Sequence, residues 1–311
     1  MKGIVIKSTG SWYNVRDDSG TIVECRLKGQ LRLKNNKATN PVVVGDIVDF
    51  EYHSANDITG AITGICERKN YIIRKSIKLS KQTHVIAANI DHAFLVATLA
   101  YPRTSTGFID RFLVTAEAYH IPASVIFNKT DLYNDDLREM HDSLVGLYTG
   151  IGYTCFAVSA LKGDHMSEVR EAVKDKICLF SGHSGVGKSA LINSIQPGLS
   201  LKTGIISAMH LKGKHTTTFA EMIELKQGGF IIDTPGIKEF GLIDFTKEDV
   251  GLFFPEMKEL LHNCQYYNCI HVHEPRCAVK AAVEKGKISA SRYRNYLAIV
   301  NDEHLEINDW E

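Results

Sequence analysis

No stretch of this 311-residue chain approaches the run of about 18 apolar residues that a membrane span requires. Its opening, MKGIVIKSTG, is too short and too polar to read as a secretion signal, and no lipidation motif stands at either end. An excess of charge of one sign is also missing. Lys plus Arg and Asp plus Glu number 36 each, so no overall field draws the chain to nucleic acid or to a membrane. Any such partner has to be met by local patches. There is no internal repeat and no low-complexity tract. An even set of cysteines is lacking too: the seven present would leave a disulfide framework with one over. What remains is a globular chain, 44% hydrophobic and 23% charged, long enough for two or three domains and most simply cytoplasmic, without membrane contact. Three of the cysteines, Cys264, Cys269 and Cys277, crowd together beside histidines, which reads as a metal site in a reducing compartment. Cys25, Cys66, Cys155 and Cys178 are scattered and read as ordinary thiols.

Three segments follow one another. Residues 1–70 carry short β-branched or aromatic runs (GIVIKS, WYNVRD, TIVECRL, GDIVDFEY) broken by turn residues such as DDSG, the pattern of a small barrel. A partly open Greek-key barrel of the OB type is the expectation. Residues 68–82, RKNYIIRKSIKLSKQ, hold six basic residues and no acid; they fit a solvated linker or a strip that meets phosphates. From 71 to 244 buried apolar strands alternate with amphipathic helices, a doubly wound α/β domain whose ligands belong at the carboxyl ends of its strands. Residues 245–311 read as helical and contain the Cys/His cluster.

The middle segment carries the chemistry. KICLFSGHSGVGKSALINSI fits G-x-x-x-x-G-K-[ST] between a strand and a helix. Gly182, Gly185 and Gly187 free the backbone of Gly182, His183, Ser184, Gly185, Val186 and Gly187 to close around phosphates. Lys188 is placed to meet the β- and γ-phosphates, Ser189 to ligate Mg²⁺, and Ala190 continues the helix. GFIIDTPG puts Asp233 at a strand end, where it reaches Mg²⁺ through water, and gives Gly236 the role of γ-phosphate sensor. Thr216, Thr217 and Thr218 form a switch segment that closes over Mg²⁺, with Thr217 as the chosen ligand among three. In FNKTD, Asp131 accepts from the N1–H and 2-amino group of guanine. Asn128 ties this loop to the phosphate loop, Lys129 packs over the base and Thr130 lies between them. In VSALKG, the backbone at Ser159 and Ala160 donates to guanine O6. Adenine cannot satisfy Asp131, so the set predicts GTP and GDP and excludes ATP.

One part is lacking. Many small GTPases place Gln directly after the D-x-x-G glycine to orient the attacking water; here Ile237 stands there. His215, beside the switch threonines, is the candidate for that role, and a plain loop residue is the competing reading.

The motifs run in an unusual order: base reader, Ser-Ala loop, phosphate loop, switch I, switch II. A circular permutation of an ordinary GTPase domain produces it, and the three-dimensional site need not change. This order, a preceding barrel and a following Cys/His cluster together resemble the RsgA (YjeQ/YloQ) family of bacterial small-ribosomal-subunit-dependent GTPases. The resemblance spans the whole chain and rests on NKTD, SAL, GHSGVGKS, GKHTTT, DTPGI, FPEM and C-x4-C-x-H-x5-C. It implies an OB-fold domain, a permuted GTPase domain and a zinc-binding domain. It also implies GTP hydrolysis stimulated by the 30S subunit, in late maturation of that subunit. The expected partners are 16S rRNA and other 30S assembly factors, and the expected state is a monomer. A hydrophobic residue such as Ile237 fits the family's habit.

Cys264, Cys269, His271 and Cys277 offer three thiolates and an imidazole, a set suited to a closed, structural tetrahedral Zn²⁺. His273 is an alternative ligand by spacing; the family pattern selects His271. For RNA, Trp12, Tyr13, Arg16, Arg26, Lys28, Arg32 and Lys34 on the barrel are candidates, with Lys280, Lys285, Lys287, Arg292 and Arg294 near the C-terminus. Switch II, leading straight into the last segment, is expected to reorient the zinc domain between GTP and GDP forms.

Overall fold

The computed structural model describes residues 1–29, 41–53, 58–75, 83–199, 221–233 and 245–301. The first layer is a barrel of β1 (Lys2–Ser8), β2 (Tyr13–Asp17), β3 (Ile22–Leu27), β4 (Ile47–Tyr52) and β5 (Thr59–Ile65). Inward residues alternate with outward ones along each strand, as a period of two demands. Val5, Val15, Val23, Val48, Phe50 and Ile62 fill the interior. The strand order is β1-β2-β3-β5-β4, and β4 returns to pair with β1. The barrel is therefore closed, where the sequence suggested a partly open one. β5, TGAITGI, lacks the apolar content of its neighbours and gives little signal as a strand; pairing with β3 and β4 makes it one.

At its start, at Arg68 and Lys69, the basic stretch after the barrel is neither a loose linker nor a free cationic strip. Arg68 donates to both oxygens of the buried Asp46 carboxylate, at 2.6 and 2.7 Å. Lys69 pairs with Asp91. The chain then forms an antiparallel hairpin, β6 (Tyr71–Lys75) with β7 (Thr83–Ala88).

The main sheet runs in the order β10 (Thr154–Val158), β9 (Ala123–Asn128), β8 (His92–Ala97), β11 (Ile177–Ser181), β13 (Phe230–Asp233), β12 (Glu221–Glu224). β8 through β11 and β13 are parallel, and β12 is antiparallel to β13. β8 and β9 are buried on both faces, which explains their continuous apolar runs. One face packs on α1 (Thr106–Ala118) and α2 (Asp135–Ile151), the other on α3 (Met166–Val173) and α4 (Lys188–Ile195). β12 does not stay a bare edge. It pairs with β1 of the barrel at Lys7 and Glu221, and Arg16 grips Glu224 with bonds of 2.7 and 3.1 Å.

The last layer comprises the short α5 (Pro255–Lys258), α6 (Ala278–Glu284) and α7 (Ala290–Val300). Its core includes Phe254, Met257, Val279, Tyr296 and Ile299 and draws in Val114 from α1. No helix among the described residues is long and apolar enough to cross a membrane.

Candidate functional site

The parallel strands all end on one edge of the sheet, and the loops leaving that edge carry the nucleotide motifs. β11 ends at Ser181, and the chain turns through Gly182–Gly187 into α4. Gly182 has φ +144° and Gly187 φ +97°. A Cβ on Gly182 would lie 2.3 Å from the Val96 carbonyl oxygen, and one on Gly187 2.4 Å from Asn128 Nδ2. Only glycine permits these approaches. Val186 is fully buried and anchors the loop, while Ser189 is buried in the first turn of α4. Lys188 Nζ donates to the carbonyls of Gly182 (2.6 Å) and His183 (2.7 Å), curling back across the loop. The His183 ring lies on Phe108 of α1, with centroids 3.9 Å apart. Ser184 is exposed, and Ala190 is partly buried in α4.

Asn128, the last residue of β9, joins three loops. Its Nδ2 donates to the Val186 carbonyl at 2.8 Å, and its Oδ1 accepts from the Ala160 amide at 3.0 Å. Lys129 follows in the left-handed region (φ 67°), and residues Thr130–Leu132 make one 3₁₀ turn. That turn brings Asp131 to Ser159, whose hydroxyl donates to Asp131 Oδ1 at 2.6 Å. The Ser159 amide donates to the Asp164 carbonyl at 3.3 Å. A guanine oxygen would therefore compete for the amides of Ser159 and Ala160 rather than find them idle. Asp233 closes β13, in register with Phe180 and one residue short of the end of β11. His215, Thr217, Gly236 and Ile237 lie outside the described residues.

A second cluster lies in the C-terminal layer. One ligand atom each from Cys264, Cys269, His271 and Cys277 falls within 4.8 Å of all the others. His271 Nδ1 is 3.6 Å from Cys264 Sγ and 3.3 Å from Cys277 Sγ. Cys277 precedes α6 and accepts from the Lys280 amide, so the helix start fixes that sulfur. The backbone around His271 is held by Tyr293 and Tyr296, whose hydroxyls donate to the carbonyls of His271 (2.7 Å) and Ile270 (2.6 Å). Burial pushes the Cys269 thiol up to about 12 and holds the His271 imidazole below its ordinary range. His273 is exposed and stands outside the cluster. These four residues form a candidate metal centre.

A model of the RsgA GTPase family matches residues 65–243, and one of the RsgA N-terminal domain matches residues 2–62. The chain belongs to the RsgA GTPase family. Among the relatives, the small ribosomal subunit biogenesis GTPase RsgA of Bacteroides fragilis is 54% identical over 97% of both chains. That of Flavobacterium psychrophilum is 52% identical over 96% of this chain and 92% of its own. The crystal structure of YjeQ from Thermotoga maritima superposes with a TM-score of 0.80 at 34% identity, covering 97% of each chain. YloQ, described as a circularly permuted GTPase, gives 0.76 at 31% identity over 97% of this chain and 94% of its own. The chain is thus a GTPase with permuted motif order, as its sequence predicted.

Within this RsgA frame, several of the candidate RNA-contact residues are engaged elsewhere. Arg292 is fully buried. Its Nη1 donates to Asp110 Oδ1 at 2.7 Å and its Nε to Glu256 Oε1 at 2.7 Å. Tyr13 is buried, Arg16 holds Glu224, and the Arg26 guanidinium stacks 3.9 Å from the centre of the Trp12 ring. Lys280 donates to the Val272 carbonyl, while Lys285, Lys287 and Arg294 are exposed. Arg32 and Lys34 lie outside the described residues. The Asp110–Arg292–Glu256 junction was not legible as a unit, although Glu256 lies within FPEM, because its members come from three separate segments.

Proposed function

We propose that this chain hydrolyses GTP as a late assembly factor of the 30S ribosomal subunit, with turnover stimulated by that subunit. The observation that carries the guanine-nucleotide part is Asn128, whose amide side chain binds phosphate loop, base reader and Ser-Ala loop into one unit. With the loops so tied, Asp131 faces a base while Gly182–Gly187 cradle phosphates. Lys188 exchanges its two loop carbonyls for phosphate oxygens. Ser189, with Asp233 and Thr217, is the set that would hold Mg²⁺, which would supply charge neutralisation at the phosphates. His215 positions the attacking water, since Ile237 has no group to do so, and Gly236 senses the γ-phosphate.

The three parts, 1–70, 71–244 and 245–311, then have separate roles. The barrel and the last segment bind 16S rRNA, the latter through exposed Lys285, Lys287 and Arg294. The Cys264, Cys269, His271 and Cys277 set fits Zn²⁺. With bonds of about 2.3 Å to sulfur and 2.0–2.1 Å to nitrogen, a tetrahedral ion needs N···S edges of about 3.5 Å, which the 3.3 and 3.6 Å distances bracket. Its four protein ligands leave no open position, so its role is structural.

The deciding measurement is the GTPase rate with and without purified 30S subunits. Strong stimulation by 30S and none by isolated RNA is the expected result. Equal stimulation by isolated RNA, or none by either, overturns the assignment. In the 30S-bound state, His215→Ala is expected to retain GTP binding while losing the stimulated turnover.

A further inference from the structure

The strand-end edge has one wall that no nucleotide motif accounts for. Residues 98–105 run from the end of β8 to α1 and are fixed at their base. The Thr98 amide donates to Thr104 Oγ1 at 3.1 Å, and the Thr104 amide returns a bond of 2.8 Å to the Thr98 carbonyl. The Thr98 hydroxyl donates to the Pro102 carbonyl, and Ser105 caps α1 by accepting from the Phe108 amide at 3.2 Å. Thr98 and Thr104 are both fully buried.

The tip of this loop is held over the nucleotide residues from two directions. Pro102 Cδ sits 3.4 Å from where a Cβ on Gly185 would stand. The Tyr101 carbonyl accepts from Lys129 Nζ. One loop thus touches both the phosphate loop and the base reader. At its tip, Tyr101 has φ +51°, a conformation that a bulky aromatic residue rarely adopts. Its side chain is 81% exposed, so core packing does not account for that conformation. Backbone strain maintained by a pinned loop, beside the nucleotide motifs, points to a contact made with the ligand.

We propose that Tyr101 is a nucleotide-positioning residue whose ring packs on the nucleoside of bound GTP or GDP, along the wall formed by residues 98–105. The proposal rests on the guanine-nucleotide reading of the site. An aromatic ring suits this contact, because it offers a large apolar face to a nucleoside and has only two side-chain torsions to immobilise. The Tyr101 carbonyl, which holds Lys129, is backbone and survives any substitution, so side-chain variants isolate the ring.

The test uses the full chain with unlabelled GDP. By calorimetry, Tyr101→Ala is expected to weaken GDP binding about ten-fold, the scale of one nucleobase–aromatic stacking contact, while Tyr101→Phe stays within about two-fold of wild type. Tyr101→Trp supplies a reading that a purely structural role would not move. Its emission, after subtraction of the wild-type signal from Trp12 and Trp310, is expected to change on saturation with GDP. No emission change in Tyr101→Trp, together with a Tyr101→Ala affinity within about two-fold of wild type, overturns the proposal while leaving the guanine reading intact. Absence of GDP binding by the wild-type chain overturns that reading and the proposal with it.

Discussion

Arg292 Nη1 lies 2.7 Å from Asp110 Oδ1, across a separation of 182 residues. The bond joins α1, which packs on the nucleotide-binding sheet, to α7 of the C-terminal layer. Asp110 also accepts from Asn295 Nδ2 (2.6 Å) and the Tyr148 hydroxyl (2.9 Å), an acceptor arrangement that only a carboxylate satisfies in full. Burial by itself would depress the Arg292 guanidinium; Asp110 and Glu256 outweigh it and keep the group charged. The two layers are therefore latched by buried charge rather than by apolar packing alone.

Breaking that latch from one side leaves buried carboxylates without their cation. Arg292→Met is expected to lower stability by about 3–5 kcal/mol in urea unfolding. In the Arg292→Met background, a further Asp110→Asn should cost far less than it does alone. Additive losses would show that the pair is not coupled.

Asn128→Ala removes the donor to the Val186 carbonyl and the acceptor of the Ala160 amide together. Each buried group left without its partner costs about 1–3 kcal/mol. GDP affinity is expected to fall at least about ten-fold by calorimetry, with the circular dichroism spectrum retained. A variant that binds GDP like wild type would deny Asn128 its role as the tie between loops.

His92 gives a pH dependence with a definite sign. Its ring stacks near Phe94 and its Nε2 is 2.8 Å from Ser124 Oγ. Burial first, then Lys176, lowers its pKa to about 4 against a small opposing effect of Asp91. An unfolded histidine titrates near about 6.5, so on acidification the unfolded chain takes up the proton first. This contribution is full above about pH 6.5 and is lost as pH falls toward 4, at no more than ~1.4 kcal/mol per pH unit. The stability gap between wild type and His92→Gln, followed by urea unfolding, should narrow by about 1–2 kcal/mol from pH 7 to pH 5. An unchanged gap would mean that His92 does not titrate in this way.

The metal centre should contain one zinc per chain by elemental analysis. Binding requires thiolates, while burial holds the Cys269 thiol at about 12, so zinc uptake should release protons, seen as buffer-dependent calorimetric heats. Stripping the metal should raise amide exchange in α6 and α7 well before it does so in β8 and β11. Uniform protection with and without zinc would remove the structural role.

The local parts are legible in sequence because short-range chemistry defines them. GHSGVGKS needs its glycines for backbone approach, NKTD holds the carboxylate proposed here to read guanine, and the doubly buried strands β8 and β9 announce themselves as unbroken apolar runs. The Cys/His spacing likewise names three cysteines and leaves His271 and His273 as alternatives, and folding separates the two by burying only the first. Charge is the least legible property. Arg16, Arg68 and Arg292 look like free cations in one dimension, yet each is matched to an acid distant in sequence: Glu224, Asp46 and Asp110. β5 hides for the same reason, as its strand character comes from neighbours and not from its own side chains.

Motif order, nucleotide class and the candidate metal-binding residue types were thus determined by the sequence alone, since each depends on residue identities within a few positions. Tertiary structure decided what distant residues do to one another: the closure of β4 on β1, the grip of Arg16 on the edge strand, and the Asp110–Arg292 latch. It also set the loop 98–105 against Lys129 and Gly185, a wall that no local pattern reveals. Burial and pairing depend on which segments meet in space, and that is fixed only when the whole chain packs.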